Sequence, residues 1–308
     1  MVDLIIIGGG PAGLSASIYA LRAKKSVLLI ERMGLGGQVA MTTSIENYPG
    51  FELISGVELA EKMFSQAEKL GLKTVFTDVL EYDITGEIKR VKTHDGVFES
   101  KAILLCLGAT ARQLDVKNEK KFAGRGISYC ATCDGNFYKG KTVAVVGGGD
   151  CSIDETLYLS NIVDKIYLIH RGNKFKNEDV DFQEIVNMSK KENPKVEILT
   201  NTIIQEIKGE NKVEGIIVKN LLDKTEREIN LNGIFVAVGR KPDTSLLNEV
   251  VDLDENGYIL TDENMKTNIA GVYAAGDVRK KLLKQIVTAC ADGAIAVASM
   301  IPYLNSKK

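Results

Sequence analysis

Histidine is almost missing from these 308 residues: His94 and His170 are the only two, and they lack ligand-like spacing. That leaves no histidine-based metal centre to expect. Cysteine is sparse and odd in number, five in all, which argues against a secreted disulfide framework. Excess charge is lacking too. A net charge of −2 offers no electrostatic reason to expect nucleic acid or an anionic membrane as a partner. No segment approaches the roughly 20 apolar residues of a membrane span; the best stretch, Ala289–Ile301, is rich in small residues and interrupted by Asp292. Nothing resembles a signal peptide, because Met1 is followed by Asp3 and then only a four-residue apolar run. These absences lead to the expectation of a cytoplasmic protein with neither nucleic acid nor membrane among its partners.

What is present begins with length. A chain this long exceeds one ordinary core, and its composition, 44% hydrophobic and 26% charged, is that of a globular protein. Its most informative stretch is Cys130-Ala131-Thr132-Cys133-Asp134. Two cysteines three positions apart can close a small disulfide, work as a dithiol, form half of a tetrahedral zinc site, or lie inert in a core. No second pair completes such a zinc site. The flanks favour a redox dithiol, since glycine-rich turns lie on the first strand and fourteen residues after Cys133.

The first of those turns follows the apolar run Leu4–Ile7, which reads as a buried parallel strand. Gly8, Gly10 and Gly13 then fit the G-x-G-x-x-G fingerprint ahead of an Ala- and Leu-rich helix, Leu14–Ala23. The first glycine permits the tight turn, the second lets backbone approach a pyrophosphate, and the third lets helix pack on strand. A second strand, Ser26–Ile30, ends at Glu31, where an acidic residue would bind a ribose hydroxyl. Together they predict a dinucleotide site. A helix spanning Val57 to Ala67 follows, and Lys73–Ser100 reads as a small antiparallel layer before the buried strand Ala102–Leu107.

A second unit of the same design starts after Cys133. Lys141–Val146 is a strand, Gly147-Gly148-Gly149-Asp150 the turn, Ser152–Ser160 a helix, and Lys165–Ile169 a strand running into His170-Arg171. Lys174–Lys191 reads as a charged amphipathic helix, followed by strands near 196–200, 202–207, 213–219 and 234–238. The tail carries Gly271–Asp277, a short strand ending in small residues and a carboxylate, then an apolar helix from Gln285. The first sheet needs that late strand to be complete. The expected class is therefore α/β, two Rossmann-like nucleotide-binding domains, the second inserted into the first: residues 1–113 and 242–308 form one and 114–241 the other.

With these residues in hand, the chain resembles, end to end, the low-molecular-weight bacterial-type thioredoxin reductases. The resemblance rests on Cys-Ala-Thr-Cys-Asp at 130–134 before the second turn, Gly36-Gly37-Gln38, Glu46-Asn47-Tyr48-Pro49-Gly50 and Ala275-Gly276-Asp277-Val278-Arg279. It implies FAD on the first turn, held by Gly8, Gly10, Pro11, Ala12, Gly13, Glu31, Gly37, Gln38, Asn47, Gly276, Asp277, Gln285 and Ile286. It implies NADPH on the second, held by Gly147, Gly149, Asp150, Arg171 and Lys176. Cys133 is then the flavin-facing sulfur, Cys130 the one that attacks a thioredoxin-like protein disulfide, and Asp134 the acid–base group, with a plain turn or cap role for Asp134 as the competing reading. The resemblance also implies a homodimer. Because disulfide and nicotinamide would share one inserted domain yet serve one flavin, the domain is expected to rotate about crossings near 112–117 and 239–244.

The resemblance has departures. Ser152 stands where the family has alanine, Gly172 where it has a second arginine and Lys176 where it has a third. Lysine lacks the bidentate fork of arginine, so NADH is possible beside NADPH. A weakened phosphate site is also compatible with ferredoxin as the electron donor, or with an oxygen-linked dithiol oxidase of the same fold. The retained glycine turn at 147–149 counts against the oxidase.

Overall fold

The computed structural model describes residues 1–42 and 44–307. It opens with β1 (Val2–Ile7), α1 (Pro11–Arg22) and β2 (Val27–Glu31), a βαβ unit whose strands pair in parallel. Alternate side chains of β1 enter two different cores. Leu4 and Ile6 pack on the α1 side, while Ile5 and Ile7 pack on the opposite face of the sheet. That is why the run is apolar at every position rather than every second one.

α2 (Gly56–Lys69), β3 (Lys73–Phe76), β4 (Val79–Asp83), β5 (Lys89–Thr93) and β6 (Gly96–Leu105) follow. β4, β5 and the first half of β6 form an antiparallel layer. β3 departs from the sequence expectation, pairing in parallel with β2 at the sheet edge. Its residues are partly exposed, so periodicity alone could not assign it to the buried sheet. The chain then passes through β7 (Ala109–Ala111).

Residues Ala111–Arg240 form a compact unit of their own. It contains α3 (Glu119–Phe122), β8 (Ile127–Ser128), α4 (Ala131–Asp134), β9 (Thr142–Val146), α5 (Asp150–Ser160), β10 (Lys165–Ile169), α6 (Val180–Ser189), β11 (Val196–Leu199), β12 (Thr202–Lys208), β13 (Gly215–Asn220), β14 (Glu226–Asn230) and β15 (Gly233–Val236). Five strands make a parallel sheet in the order β11-β10-β9-β15-β8, and β12-β13-β14 form an antiparallel one. β9 repeats the logic of β1: Val143 and Val145 face one core, Ala144 and Val146 the other. α6 begins six residues later than its charge pattern suggested, because residues 174–179 are a loop drawn against the second glycine turn through Lys176 N–H to the Gly148 carbonyl, 2.8 Å.

β16 (Arg240–Pro242) leads out, and β17 (Val272–Ala274) joins β6 in parallel, making the first sheet seven-stranded. The other compact unit is thus Met1–Thr110 with Lys241–Lys308. It closes with α7 (Ile286–Ser306), which among the described residues is the one helix long and apolar enough to cross a membrane. The sequence expectation that no segment comes near such a length is corrected here. Helix continues through Pro302, and Asp292 sits buried in a pair of ion pairs rather than ending the run. One face of α7 packs on α1, where a Cβ at Gly293 would lie 2.2 Å from the Ala12 carbonyl oxygen.

Candidate active site

Cys130 and Cys133 are joined as a disulfide, with Cα atoms 5.3 Å apart. The chain leaves β8 and starts α4 at Cys130, whose carbonyl accepts the amides of Cys133 at 3.2 Å and Asp134 at 3.1 Å. Ser128 ties down the approach: its Oγ accepts the Cys130 amide at 3.1 Å. Ala131 is buried and its amide donates to Glu155 Oε1 of α5 at 3.4 Å. Gly135, immediately after α4, rests on Leu159 and Tyr158 of the same helix. The disulfide therefore sits on α5, whose N-terminus is the second glycine turn.

Asp134 caps nothing, for the turn that follows has no side-chain cap. Burial pushes its carboxyl above the usual carboxylate range, and a hydrogen bond from Ser128 pulls it partly back. Tyr138 is pushed up to about 12, by burial first and by the Asp134 charge second. A carboxyl that keeps its proton more readily than usual, directly after the second cysteine, is suited to proton transfer at sulfur.

At the first glycine turn the three glycines play distinct parts. Gly8, at φ +108°, has no room for a Cβ, which would lie 2.2 Å from the Cys106 carbonyl oxygen. A Cβ at Gly13 would lie 2.0 Å from the Gly8 carbonyl oxygen, so this glycine lets α1 close on β1. Gly10 faces open space, with no protein atom within 4 Å of its Cβ position. Closed at the ends and open in the middle is the shape a pyrophosphate needs. Glu31 accepts the Gly9 amide at 2.7 Å and the Met33 amide at 2.9 Å. Gly37 lies against Gly10, 3.4 Å from Cβ position to Cα, and Gln38 is exposed beside it.

The tail reaches the same place. A Cβ at Gly276 would meet the Ala12 Cβ at 3.0 Å, just after Pro11 opens α1. The Gly276 amide donates to Asp292 Oδ2 at 3.0 Å. Asp277 lies 3.9 Å from Lys281. Asn47 donates to Gln285 at 3.1 Å, and Gln285 forms a capping box with Thr288 at the start of α7. Ile286 packs against the small core of Val39, Ile45, Ile54 and Leu59. All thirteen candidate residues of the first site thus belong to one neighbourhood.

The second turn is built alike. A Cβ at Gly147 would lie 2.5 Å from the Ala237 carbonyl oxygen, while Gly149 faces open space. Ser152 fits where alanine is usual, because its hydroxyl donates to the Gly149 carbonyl at 2.6 Å. Asp150 accepts from Asn177 at 2.6 Å, and Arg171 and Lys176 are exposed on the loop that follows β10. His170 has no role legible in the sequence alone. Its ring covers Gly148, whose Cβ position lies 2.0 Å from Cε1, and its Nε2 donates to the Lys174 carbonyl at 3.0 Å. The two turns correspond: Glu31 at the end of β2 accepts from Gly9, and His170 just after β10 covers Gly148. Glu155, Asn177 and Asp292 were missed as well, and no motif marks them.

A family model described as pyridine nucleotide-disulphide oxidoreductase matches residues 2–293. The chain belongs to that family. Among its relatives is the thioredoxin reductase of Bacillus subtilis (strain 168), 41% identical over 304 residues, 98% of this chain and 95% of that protein. A 34.2 kDa protein in the rubredoxin operon of Clostridium pasteurianum is 38% identical over 99% of this chain and 98% of its own length. The solved structure of thioredoxin reductase from Streptococcus pyogenes MGAS5005 is similar at a TM-score of 0.92 and 37% identity, covering 99% of each chain. Family membership makes this an oxidoreductase that uses a flavin and a pyridine nucleotide with a disulfide. Each of the two glycine turns is open at one glycine, Gly10 in the first and Gly149 in the second.

Proposed function

We propose that this protein is a thioredoxin reductase, carrying electrons from NADPH through FAD and the Cys130–Cys133 pair to a thioredoxin-like protein. The observation that carries the reading is the disulfide itself, packed on the helix that begins at the second glycine turn and followed by a carboxyl of raised pKa. When bound, FAD and NADPH supply the hydride chemistry that the side chains cannot. Two electrons break the Cys130–Cys133 bond and the sulfurs take up protons, one of them through Asp134. The Cys130 thiolate then attacks the partner's disulfide, and the departing sulfur is protonated. Cys133 as thiolate closes on Cys130, restoring the disulfide and freeing the partner's second thiol.

FAD belongs on the first turn, where Glu31 follows the second strand; NADPH belongs on the second, where Arg171, Lys174 and Lys176 supply the cations. We place the protein in the cytoplasm as a homodimer, with the inserted unit turning about its two crossings. Gly172 keeps a second donor, NADH, in view, since no cation occupies that position. Anaerobic titration with each nucleotide tests the donor: NADPH should bleach the flavin at lower concentration than NADH. Cys130→Ser should keep that bleaching and lose transfer to thioredoxin. Transfer at near the parent rate in Cys130→Ser would remove the pair from the path.

A further inference from the structure

Glu155 reaches from α5 to the first turn of the dithiol helix, where Oε1 accepts the Ala131 amide. Its second oxygen, Oε2, is buried and has no hydrogen-bond partner among the described residues. A buried carboxylate oxygen without a donor is uncommon and calls for an explanation beyond packing. We propose that Glu155 is a positioning residue of the dithiol: it holds the amide next to Cys130 and, with one oxygen left unneutralised, sets a negative charge beside the two sulfurs that makes the reduced pair a stronger reductant.

This role for Glu155 rests on the reading of the pair as a reductase's dithiol. Opening the disulfide takes two electrons and leaves two sulfurs as thiol or thiolate, according to the protons available. Cysteines in the first turn of a helix form thiolates readily. A pair whose thiolate is stabilised favours its reduced form and becomes an oxidant. A protein that must hand electrons on needs the reverse, and a fixed carboxylate at that turn supplies it by repulsion. The charged and titratable groups around Glu155 are few. Arg240 approaches from the end of the unit, Asp154 and Cys151 share its helix, and Cys130, Cys133 and Asp134 belong to the helix it holds. Burial holds the Glu155 carboxyl above the usual range, the Ala131 amide and Arg240 pull it only partly back, and the Asp154 charge adds to the rise. Arg240 is itself engaged with the Tyr129 carbonyl at 3.2 Å. Cys151 shows the same field, its thiol pushed up by burial and then by Glu155.

The test uses the flavin-loaded protein reduced by excess dithiothreitol. Iodoacetamide labelling of the peptide holding Cys130 and Cys133 is followed by mass spectrometry across pH. The dithiol fraction is then measured in a fixed mixture of oxidised and reduced dithiothreitol. Glu155→Gln keeps an oxygen for the Ala131 amide and removes the charge. It should label about fivefold faster near neutral pH, the order expected for one unit charge lost at the first turn of the dithiol helix, and its dithiol fraction should rise. Glu155→Ala should shift both in the same direction, which covers a glutamine variant that does not fold. Glu155→Asp, which keeps the charge, should stay within about twofold of the parent. Curves for Glu155→Gln and Glu155→Ala that overlay the parent would overturn the proposal. So would an equal shift in Glu155→Asp, which would mean that geometry, not charge, is at work. Neither measurement uses NADPH or thioredoxin, so its failure is distinct from failure of the proposed function.

Discussion

Gly10 and Gly172 both border a nucleotide turn, yet a side chain would meet different things at each. Gly10 has φ −78° and ψ −176°, open to any residue, and nothing within 4 Å of its Cβ position. The fold should therefore tolerate Gly10→Val, and only what binds there should object. The expected result is a variant with parent-like thermal unfolding of its apoprotein and little or no FAD by absorbance. Full FAD occupancy would move the flavin off the first turn. At Gly172 a new Cβ would lie 2.6 Å from His170 Nε2, on a ring wedged against Gly148 and tilted 40° to the Phe175 ring at 4.9 Å. An arginine there must first displace that ring. Gly172→Arg should raise the preference for NADPH over NADH, but by less than the roughly 1.5–3 kcal/mol of a charged hydrogen bond. Dissociation constants for both nucleotides in parent and variant decide it. Equal change in both would place position 172 away from the 2′-phosphate.

Elements differ in how far their sequence announces them. β1, β2, β9 and β10 were legible because most of their side chains are buried, so each is a mainly apolar run, and β1 and β9 lead straight into the glycine turns. The glycine fingerprints and the cysteine pair were legible because local chemistry demands those residues at those spacings. What was not legible depends on distant partners. β3 owes its place to pairing with β2, and the loop before α6 owes its shape to Gly148. The length of α7 depends on Asp292, a charge that would end an apolar run if it were not paired. Arg279 and Lys281 each lie 3.0 Å from its Oδ2, and all three side chains are about one-tenth exposed. Asp292→Ala would take a carboxylate from two buried cations and release the Gly276 amide. It should cost about 3–5 kcal/mol, the range for breaking a buried pair from one side, and loosen the turn that carries Asp277. Chemical denaturation with flavin fluorescence would read both effects. A loss under about 1 kcal/mol with flavin retained would mean the cations find new partners.

At the scale of the molecule, the decisive fact is that each compact unit carries its own core. The clusters around β1 and α7, beneath β4 to β6, and around Val39 draw no residue from 111–240. Those around β9 draw none from outside it. The two crossings, β7 and β16, pair with one another, so the ends created by cutting at Thr110 and Lys241 lie about one strand spacing apart, near 5 Å. Thr110 Oγ1 already donates to the Lys241 carbonyl at 3.3 Å. A short glycine bridge across that gap closes a chain whose sheet, helices and first glycine turn are all retained. Loop closure then costs little, since entropy grows only slowly with length and this loop is shorter than the one it replaces. The bridged protein without 111–240 should fold cooperatively, bind FAD one to one, and oxidise no NADPH. Urea denaturation followed by flavin release would show a single transition. A protein that stays unfolded, or folds yet takes up no flavin, would mean that the first unit depends on the insert for more than continuity of the chain.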